Sequence, residues 1–373
     1  MRAKTLLFRI LIALAISQAF YYLADRLTVK NWNSSESLIV RVLEAGEESV
    51  IPSDGEDSYE MLERNTVLQV LSGNDAETQL NVKTVRLSGS GLSVIPGRRY
   101  LLVWDAFDDG RVQYSIADAF RVPSVAGVVM LVCTLLMAFT GWRGFLALLG
   151  LGASVAVLVF TMIPLTVMGW DTVWLAIASV FIISTVTILC VVRHARYRIV
   201  ALMGSLGGVT GGFLCGAVMV YLWELSGLAG EGSALLASTL PFLNMRGLLL
   251  ASVLIGSIGA VLDVGVSVTA SMSEFVDYDP DIPLDRLLLA GLNVGTEVLG
   301  SMINTLILAY MGSSLPMAVL ICSAGVELTG ILNDPYIAQE IVQSLAGTLG
   351  LLLTIPATAF SFVSQEAFRR SNG

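Results

Sequence analysis

Two apolar stretches carry acidic and polar residues at helical spacing. In residues 247–274, Asp263, Ser267, Ser271 and Glu274 follow one another at intervals of four, four and three residues. Side chains at such intervals lie on one face of an α-helix. The spacing therefore predicts a helix with one polar face.

The next apolar stretch, residues 290–311, has the same arrangement. Asn293, Glu297, Ser301 and Asn304 again follow one another at intervals of four, four and three residues, and Thr305 comes directly after Asn304. These residues are also predicted to lie along one face of a helix.

The two acids are predicted to lie at a similar depth in a membrane. At a rise of about 1.5 Å per residue, Asp263 lies roughly 13 Å and Glu297 roughly 11 Å from the predicted cytoplasmic ends of their helices. A charged side chain at the centre of a bilayer costs about 3 kcal/mol, so it usually faces protein or water. We therefore expect the two helices to pack with their polar faces toward each other.

Paired acids in such a place favour proton transfer. Burial favours the neutral form of a carboxyl group, and a second acid nearby favours it further, so the pair can bind and release a proton near neutral pH. The proton- or ion-coupling candidates are Asp263, Glu297, Asn304, Thr305, Ser267, Ser271, Asn293 and Glu274. Alternatively, these groups only form hydrogen bonds between helices, worth about 0.6 kcal/mol each.

The composition is that of a polytopic membrane protein. Of 373 residues, 55% are hydrophobic and 14% are charged, whereas soluble domains contain about 25% charged residues. This apolar composition makes the lipid bilayer an expected partner. The net charge of −9 arises from acids clustered in residues 36–118 and 274–285, so nucleic acid is not an expected partner.

Metal binding and histidine catalysis are not expected. The four cysteines lie in apolar stretches at unrelated spacings, and the single histidine, His194, lies in a basic run. This pattern lacks the paired spacing of zinc ligands. We predict neither a metal nor a cofactor.

Eight apolar runs are long enough to cross a hydrocarbon core about 30 Å thick. They are residues 5–22, 124–141, 144–167, 172–192, 199–223, 247–272, 290–311 and 338–363. We expect the first to be a membrane anchor rather than a cleaved secretory signal ending near Ala19. Residues 315–332 contain Pro316 and two glycines, so we expect them to form an external interfacial or re-entrant segment.

Basic residues in short loops predict the orientation. By the positive-inside rule, the side on which they gather is cytoplasmic, which places both termini in the cytoplasm. These residues are Arg2, Lys4, Arg143, Arg193, Arg196, Arg198, Arg369 and Arg370.

Residues 23–122 are then external and are predicted to be rich in β-strands. Five short runs alternate apolar and polar residues between glycine-containing turns: 38–43, 66–71, 78–87, 99–104 and 112–117. Five strands in 100 residues favour a small barrel of the OB type, which hides the sheet edges. We therefore expect an anchor at 1–22, an external OB-like domain at 23–122 and a helical membrane domain at 123–373.

The two polar stretches resemble a known family signature. The strings GSIGAVLDVGVSVTASMSE (256–274) and GLNVGTEVLGSMINTLILAYMGSSLP (291–316) are similar to those of the YibE/F family of bacterial multi-span proteins. The resemblance implies a multi-pass protein of the bacterial cytoplasmic (inner) membrane. Thr296-Glu297 stands where the family tends to carry Arg-Asp, so the acid is kept and its basic neighbour is not.

A weaker resemblance extends to the RND transporters and the protein-export subunits SecD and SecF. In those proteins a helix with glycines and an aspartate precedes an amphipathic connector and a helix rich in Asn and Thr. Here Asp263, residues 284–289 and Asn304-Thr305 occupy the corresponding places. The resemblance implies an RND-like bundle and a role for Asp263 in proton flow.

We therefore expect a transporter or export-assisting protein, driven by a proton or ion gradient, with a small-molecule or polypeptide cargo. A non-transporting assembly or scaffold protein, whose external domain binds a partner, is the alternative. The chain is also a candidate for self-association or for binding another membrane protein. We do not expect an enzyme: Asp263 lacks a preceding Gly-x-Gly, and no nucleotide-binding GxxxxGK[ST] motif occurs.

Overall fold

The computed structural model describes residues 2–32, 37–51, 61–72, 78–87, 93–106, 112–230 and 232–372. The chain divides into two compact units, Met1–Gly144 and Phe145–Gly373. Within the described ranges, eight helices are long and apolar enough to cross a membrane, which confirms the predicted set of eight. They are Phe8–Asn31, Val122–Thr140, Trp142–Val167, Thr172–Val191, Ala195–Leu222, Met245–Tyr278, Leu284–Ser323 and Pro335–Ser371.

In the first unit, helices α1 (Arg2–Asn31) and α2 (Val122–Thr140) pack against each other. The Ser17 hydroxyl donates to the Gly127 carbonyl at 2.7 Å. The Arg9 guanidinium donates to the Ala138 carbonyl at 2.8 Å. These contacts pair the two helices in antiparallel orientation, so α2 belongs to the same compact unit as α1.

Among the described residues, five strands form a closed barrel, and all five coincide with predicted strands. They are β1 (Ser37–Ile51), β2 (Met61–Val70), β3 (Gln79–Leu87), β4 (Arg99–Ala106) and β5 (Val112–Ala119). Their order is β1-β2-β3-β5-β4, and β4 pairs with β1 to close the barrel. The β3–β5 pair is parallel and the others are antiparallel.

Alternating apolar side chains fill the barrel. Val40 on β1 lies opposite Val70 on β2 and Tyr100 on β4, and all three are buried. The Tyr100 hydroxyl accepts a hydrogen bond from the Ile95 amide and donates one to the Ser93 carbonyl. Tyr100 is therefore a residue of the barrel core, because a buried phenol needs such partners.

The second unit is a helical bundle. Its helices are α3 (Trp142–Val157), α4 (Ile163–Val167), α5 (Thr172–Val191), α6 (Arg198–Leu222), α7 (Ser233–Thr239), α8 (Met245–Tyr278), α9 (Leu284–Ser323), α10 (Leu328–Asn333) and α11 (Pro335–Asn372). One turn of π-helix joins α3 to α4, so they form one span. Helix α8 contacts α5, α6, α9 and α11 and therefore forms the centre of the bundle.

A glycine stripe brings α6 and α11 together. Gly204, Gly208, Gly212 and Gly216 recur every four residues, and all four are buried. A Cβ atom on Gly212 would lie 2.7 Å from the Ala346 carbonyl oxygen. Small residues permit this approach in lipid, where apolar burial does not drive association.

Residues 315–323 differ from the expected separate external segment. Helix α9 continues through Pro316 to Ser323, and the turn follows at Gly325, whose φ of 71° is left-handed. The expected break at 315 is therefore wrong, because a membrane helix tolerates proline where other groups satisfy the freed backbone. Residues 284–289 begin α9 and do not form a separate connector.

Candidate functional site

The four predicted site residues of α8 lie on one side of the helix. Apolar residues cover most of its circumference, including Leu262 and Val264, which are buried in the bundle core. Asp263 and Glu274 are exposed, and Ser267 and Ser271 are half-buried. With the exposed Gly256 and Gly259, these four residues form the α8 polar strip.

Asp263 lies close to the middle of its 34-residue helix. At about 1.5 Å per residue, it is about 22 Å from the end of α8 at Tyr278. The carboxylate is thus placed deep in the predicted span, with core residues on either side of it in the chain. A charge at such a position costs free energy unless water or a polar group reaches it.

The five predicted site residues of α9 also share one side, and all five are exposed. They are Asn293, Glu297, Ser301, Asn304 and Thr305. Two of the hydroxyls are satisfied within the helix: Ser301 donates to the Val298 carbonyl and Thr305 donates to the Ser301 carbonyl. The carboxylate of Glu297 therefore lies among groups that are already hydrogen-bonded to their own helix.

Helices α8 and α9 pack together, as expected, but not through their polar faces. On α9 the buried residues include Leu287, Gly291 and Gly295. Gly291 lies against Met272 of α8, and Gly295 lies against the α11 residue Ile355. Because glycines let α9 approach through this side, Asn293 and Glu297 are left exposed and the two polar faces do not bury each other.

Two contacts fix the relative depth of the helices. Met272 meets Gly291 toward one end, and Gly256 meets the Tyr310 hydroxyl toward the other. Asp263 lies between these contacts on α8, and Glu297 lies between them on α9. The structure thus brings the two acids into the same section of the bundle, both on its exposed surface.

Sequence reasoning missed a further acid, Glu340 of α11. Its Oε2 atom is buried and has no hydrogen-bond partner in the part of the chain that the structure describes. Gly295 of α9 meets Ile355 of α11, and Leu306 of α9 meets Gly347, so the antiparallel course of the two helices brings Tyr310 of α9 toward Glu340. Glu340 lies near the start of the predicted span 338–363. An acidic residue inside a predicted span was the signal that could have identified it.

Charged residues join three helix ends at one end of the bundle, here called the Arg-rich end. Arg196, before α6, forms a 2.7 Å ion pair with Asp277 of α8. Glu366 of α11 is 1% exposed and accepts from Arg369 at 2.6 Å. Arg370 donates to the Ile282 carbonyl at 2.8 Å. These bonds hold the ends of α8 and α11 together with the start of α6 and the loop before α9.

The comparison with known proteins identifies the family. The family model of the YibE/F-like proteins matches residues 128–365. This chain belongs to the YibE/F-like family. The matched segment contains both polar faces and Glu340, so the residues described above lie within the part that the family shares. No curated protein and no solved structure matches the chain significantly.

Proposed function

We propose that this YibE/F-like protein is a membrane transporter or export-assisting protein, driven by a proton or ion gradient through intramembrane carboxylates. The observation that carries the proposal is Asp263, a carboxylate near the middle of the central helix α8, on a strip that also carries Ser267, Ser271 and Glu274. A chain keeps such an acid at a stability cost, which a purely structural helix avoids.

The strip offers titratable and hydroxyl groups along much of the helix. Asp263 and Glu274 are separated by about 16 Å along the axis, with two serines between them. Water on the exposed side of α8 would connect these groups. Glu297 and the amides of Asn293 and Asn304 on α9 supply further polar groups in the same section.

We further propose the orientation and the finer architecture. The Arg-rich end faces the cytoplasm of a bacterial inner membrane, by the positive-inside rule, and both termini are cytoplasmic. The barrel is then external and OB-like, which its closed five-stranded order and parallel β3–β5 pair support. In this proposal an RND-like bundle supplies the energy, the barrel handles a small-molecule or polypeptide cargo, and the chain performs no chemical reaction.

Asp263→Asn tests the proposal. Asparagine keeps the shape and hydrogen-bonding capacity of aspartate but does not titrate. The purified full chain is placed in liposomes that contain a pH-sensitive dye, and proton uptake is measured under an imposed gradient. We expect Asp263→Asn to abolish proton uptake and to fail to rescue a deletion strain, with unchanged expression and melting temperature.

Asp281→Asn is the matched control, because Asp281 is exposed in the loop between α8 and α9. The control should behave as wild type in both assays. Full rescue of the deletion phenotype by Asp263→Asn would rule out proton coupling through this carboxylate.

The exposure of both polar faces favours a second candidate function, an assembly or scaffold protein. A partner membrane protein or a second copy of this chain would cover these faces, while the external domain binds a further partner. In that case Asp263→Asn would still rescue the strain, and wild-type liposomes would show no proton uptake above empty ones.

A further inference from the structure

Glu340 has no place in the proton route just described, although its environment is unusual for an acid. The buried Oε2 atom finds no donor among the described groups, and the neighbouring residues Ala338 and Gln339 are buried. An unpaired ionised carboxylate is strongly disfavoured in such a place, so it takes up a proton or meets a mobile donor.

The side of α11 that carries Ala338 and Val342, opposite to Glu340, packs in an apolar cluster. From α6 and α8 come apolar side chains: Val220, Leu249 and Val253 form a cluster with Ala338 and Val342. The described residues of α10 contain no acidic or basic side chain. On the side that carries Glu340, Gly347 lies against Leu306 of α9, so Tyr310, one turn beyond Leu306 on the antiparallel α9, lies toward Glu340.

Tyr310 also reaches the α8 polar strip. Its hydroxyl lies directly against Gly256, where any side chain larger than hydrogen would displace it. Gly256 is on the same side of α8 as Asp263 and lies about 10 Å from it along the axis. The phenol therefore stands between Glu340 and the strip.

We propose that Glu340 and Tyr310 form a second proton-exchange site, at the end of the α8 polar strip that is farther from the Arg-rich end. This inference rests on the proposed function, because it extends the route through Asp263. A proton that enters at Glu340 is transferred through the phenol and water to Asp263. It then leaves along Ser267 toward Glu274. Glu340 and Glu274 thus serve opposite ends of one route.

Carbodiimide labelling tests the site without knowledge of the cargo. Dicyclohexylcarbodiimide reacts with protonated carboxyl groups in apolar surroundings, and peptide mass spectrometry locates the adduct in the full chain in liposomes. We expect labelling of Glu340 at neutral pH, falling as the pH rises, and no labelling of the exposed Glu327. Tyr310→Phe should slow proton uptake, because it removes the hydroxyl that lies between Glu340 and the strip, and should leave the labelling of Glu340 in place.

Proton uptake provides the second readout. Glu340→Gln should reduce uptake to the level of Asp263→Asn, whereas Glu327→Gln should leave it at the wild-type rate. Wild-type uptake in Glu340→Gln, or no labelling of Glu340 at neutral pH, would overturn the second site. If Asp263→Asn alone abolishes uptake, the proposed function stands without this site. If Glu340→Gln abolishes uptake and Asp263→Asn does not, the shared route is refuted.

Discussion

Gly212 of α6 lies against the backbone of α11, and its replacement by alanine tests how closely the two helices pack. A Cβ atom at Gly212 would lie 2.7 Å from the Ala346 carbonyl oxygen and 3.0 Å from the Gly350 Cα atom. An ordinary carbon–oxygen contact of this kind is about 3.3–3.6 Å. The helices would therefore have to separate locally by roughly 0.6 Å.

Two opposing effects set the size of the change. Alanine is favoured over glycine in a helix by about 1 kcal/mol. Overpacking of a well-packed interior costs about 1–3 kcal/mol, and here the upper part of that range applies because both contacts are backbone atoms that cannot rotate away. The net result expected for Gly212→Ala is a loss of about 1–2 kcal/mol.

Gly259→Ala on α8 is the matched control, since a Cβ atom added at Gly259 would have no described neighbour within 4 Å. Gly259→Ala should stabilise the protein by about 1 kcal/mol, because alanine has the higher helix propensity and no overpacking opposes it. The two variants should then differ by about 2–3 kcal/mol, or about 3–6 °C in the melting temperature of the detergent-solubilised chain. Equal or higher stability of Gly212→Ala would refute the close α6–α11 contact.

Three further perturbations test the orientation and the packing. Arg196→Cys should resist an impermeant maleimide on intact cells, because the Arg-rich end is proposed to be cytoplasmic. Ser257→Cys with Gly347→Cys should form a disulfide, since the two Cβ positions lie 3.6 Å apart, within the usual range of about 3.5–4.5 Å. Glu366→Gln should lower stability by about 1–2 kcal/mol in chemical unfolding, because the buried Glu366 carboxylate loses its charged hydrogen bonds to Arg369 and Arg370, which are themselves partly solvated.

Each of these measurements has a control in the same chain, with the four native cysteines replaced in the cysteine experiments. Glu224→Cys, at the opposite end, should be labelled from outside, and the reverse pattern would invert the orientation. Gly300→Cys has no described neighbour within 4 Å and should not cross-link to Gly347→Cys. Asp281→Asn, on an exposed acid of the loop before α9, should leave stability unchanged, and an equally small effect of Glu366→Gln would contradict a structural role for its ion pairs.

Local patterns in the sequence predicted the elements of both units. Each of the five alternating runs is a strand, and each of the eight apolar runs lies in a helix of sufficient length. Periodicity and hydropathy are properties of neighbouring residues, so they can be read without knowledge of the packing. For the same reason the spacing placed Asp263 and its partners on one side of α8. The break expected at 315 was wrong because Pro316 alone does not end a membrane helix.

The partner of each face was decided by the tertiary structure. The glycine stripe of α6 predicted a close contact, but the identity of α11 as its neighbour depends on contacts more than 130 residues apart in the chain. Likewise, the polar faces of α8 and α9 gave no indication that the two helices would pack through glycines such as Gly291 and not through these faces. Glu340 became a candidate only when folding buried its Oε2 atom without a partner and brought α9 along α11, since no local pattern in the sequence links these helices.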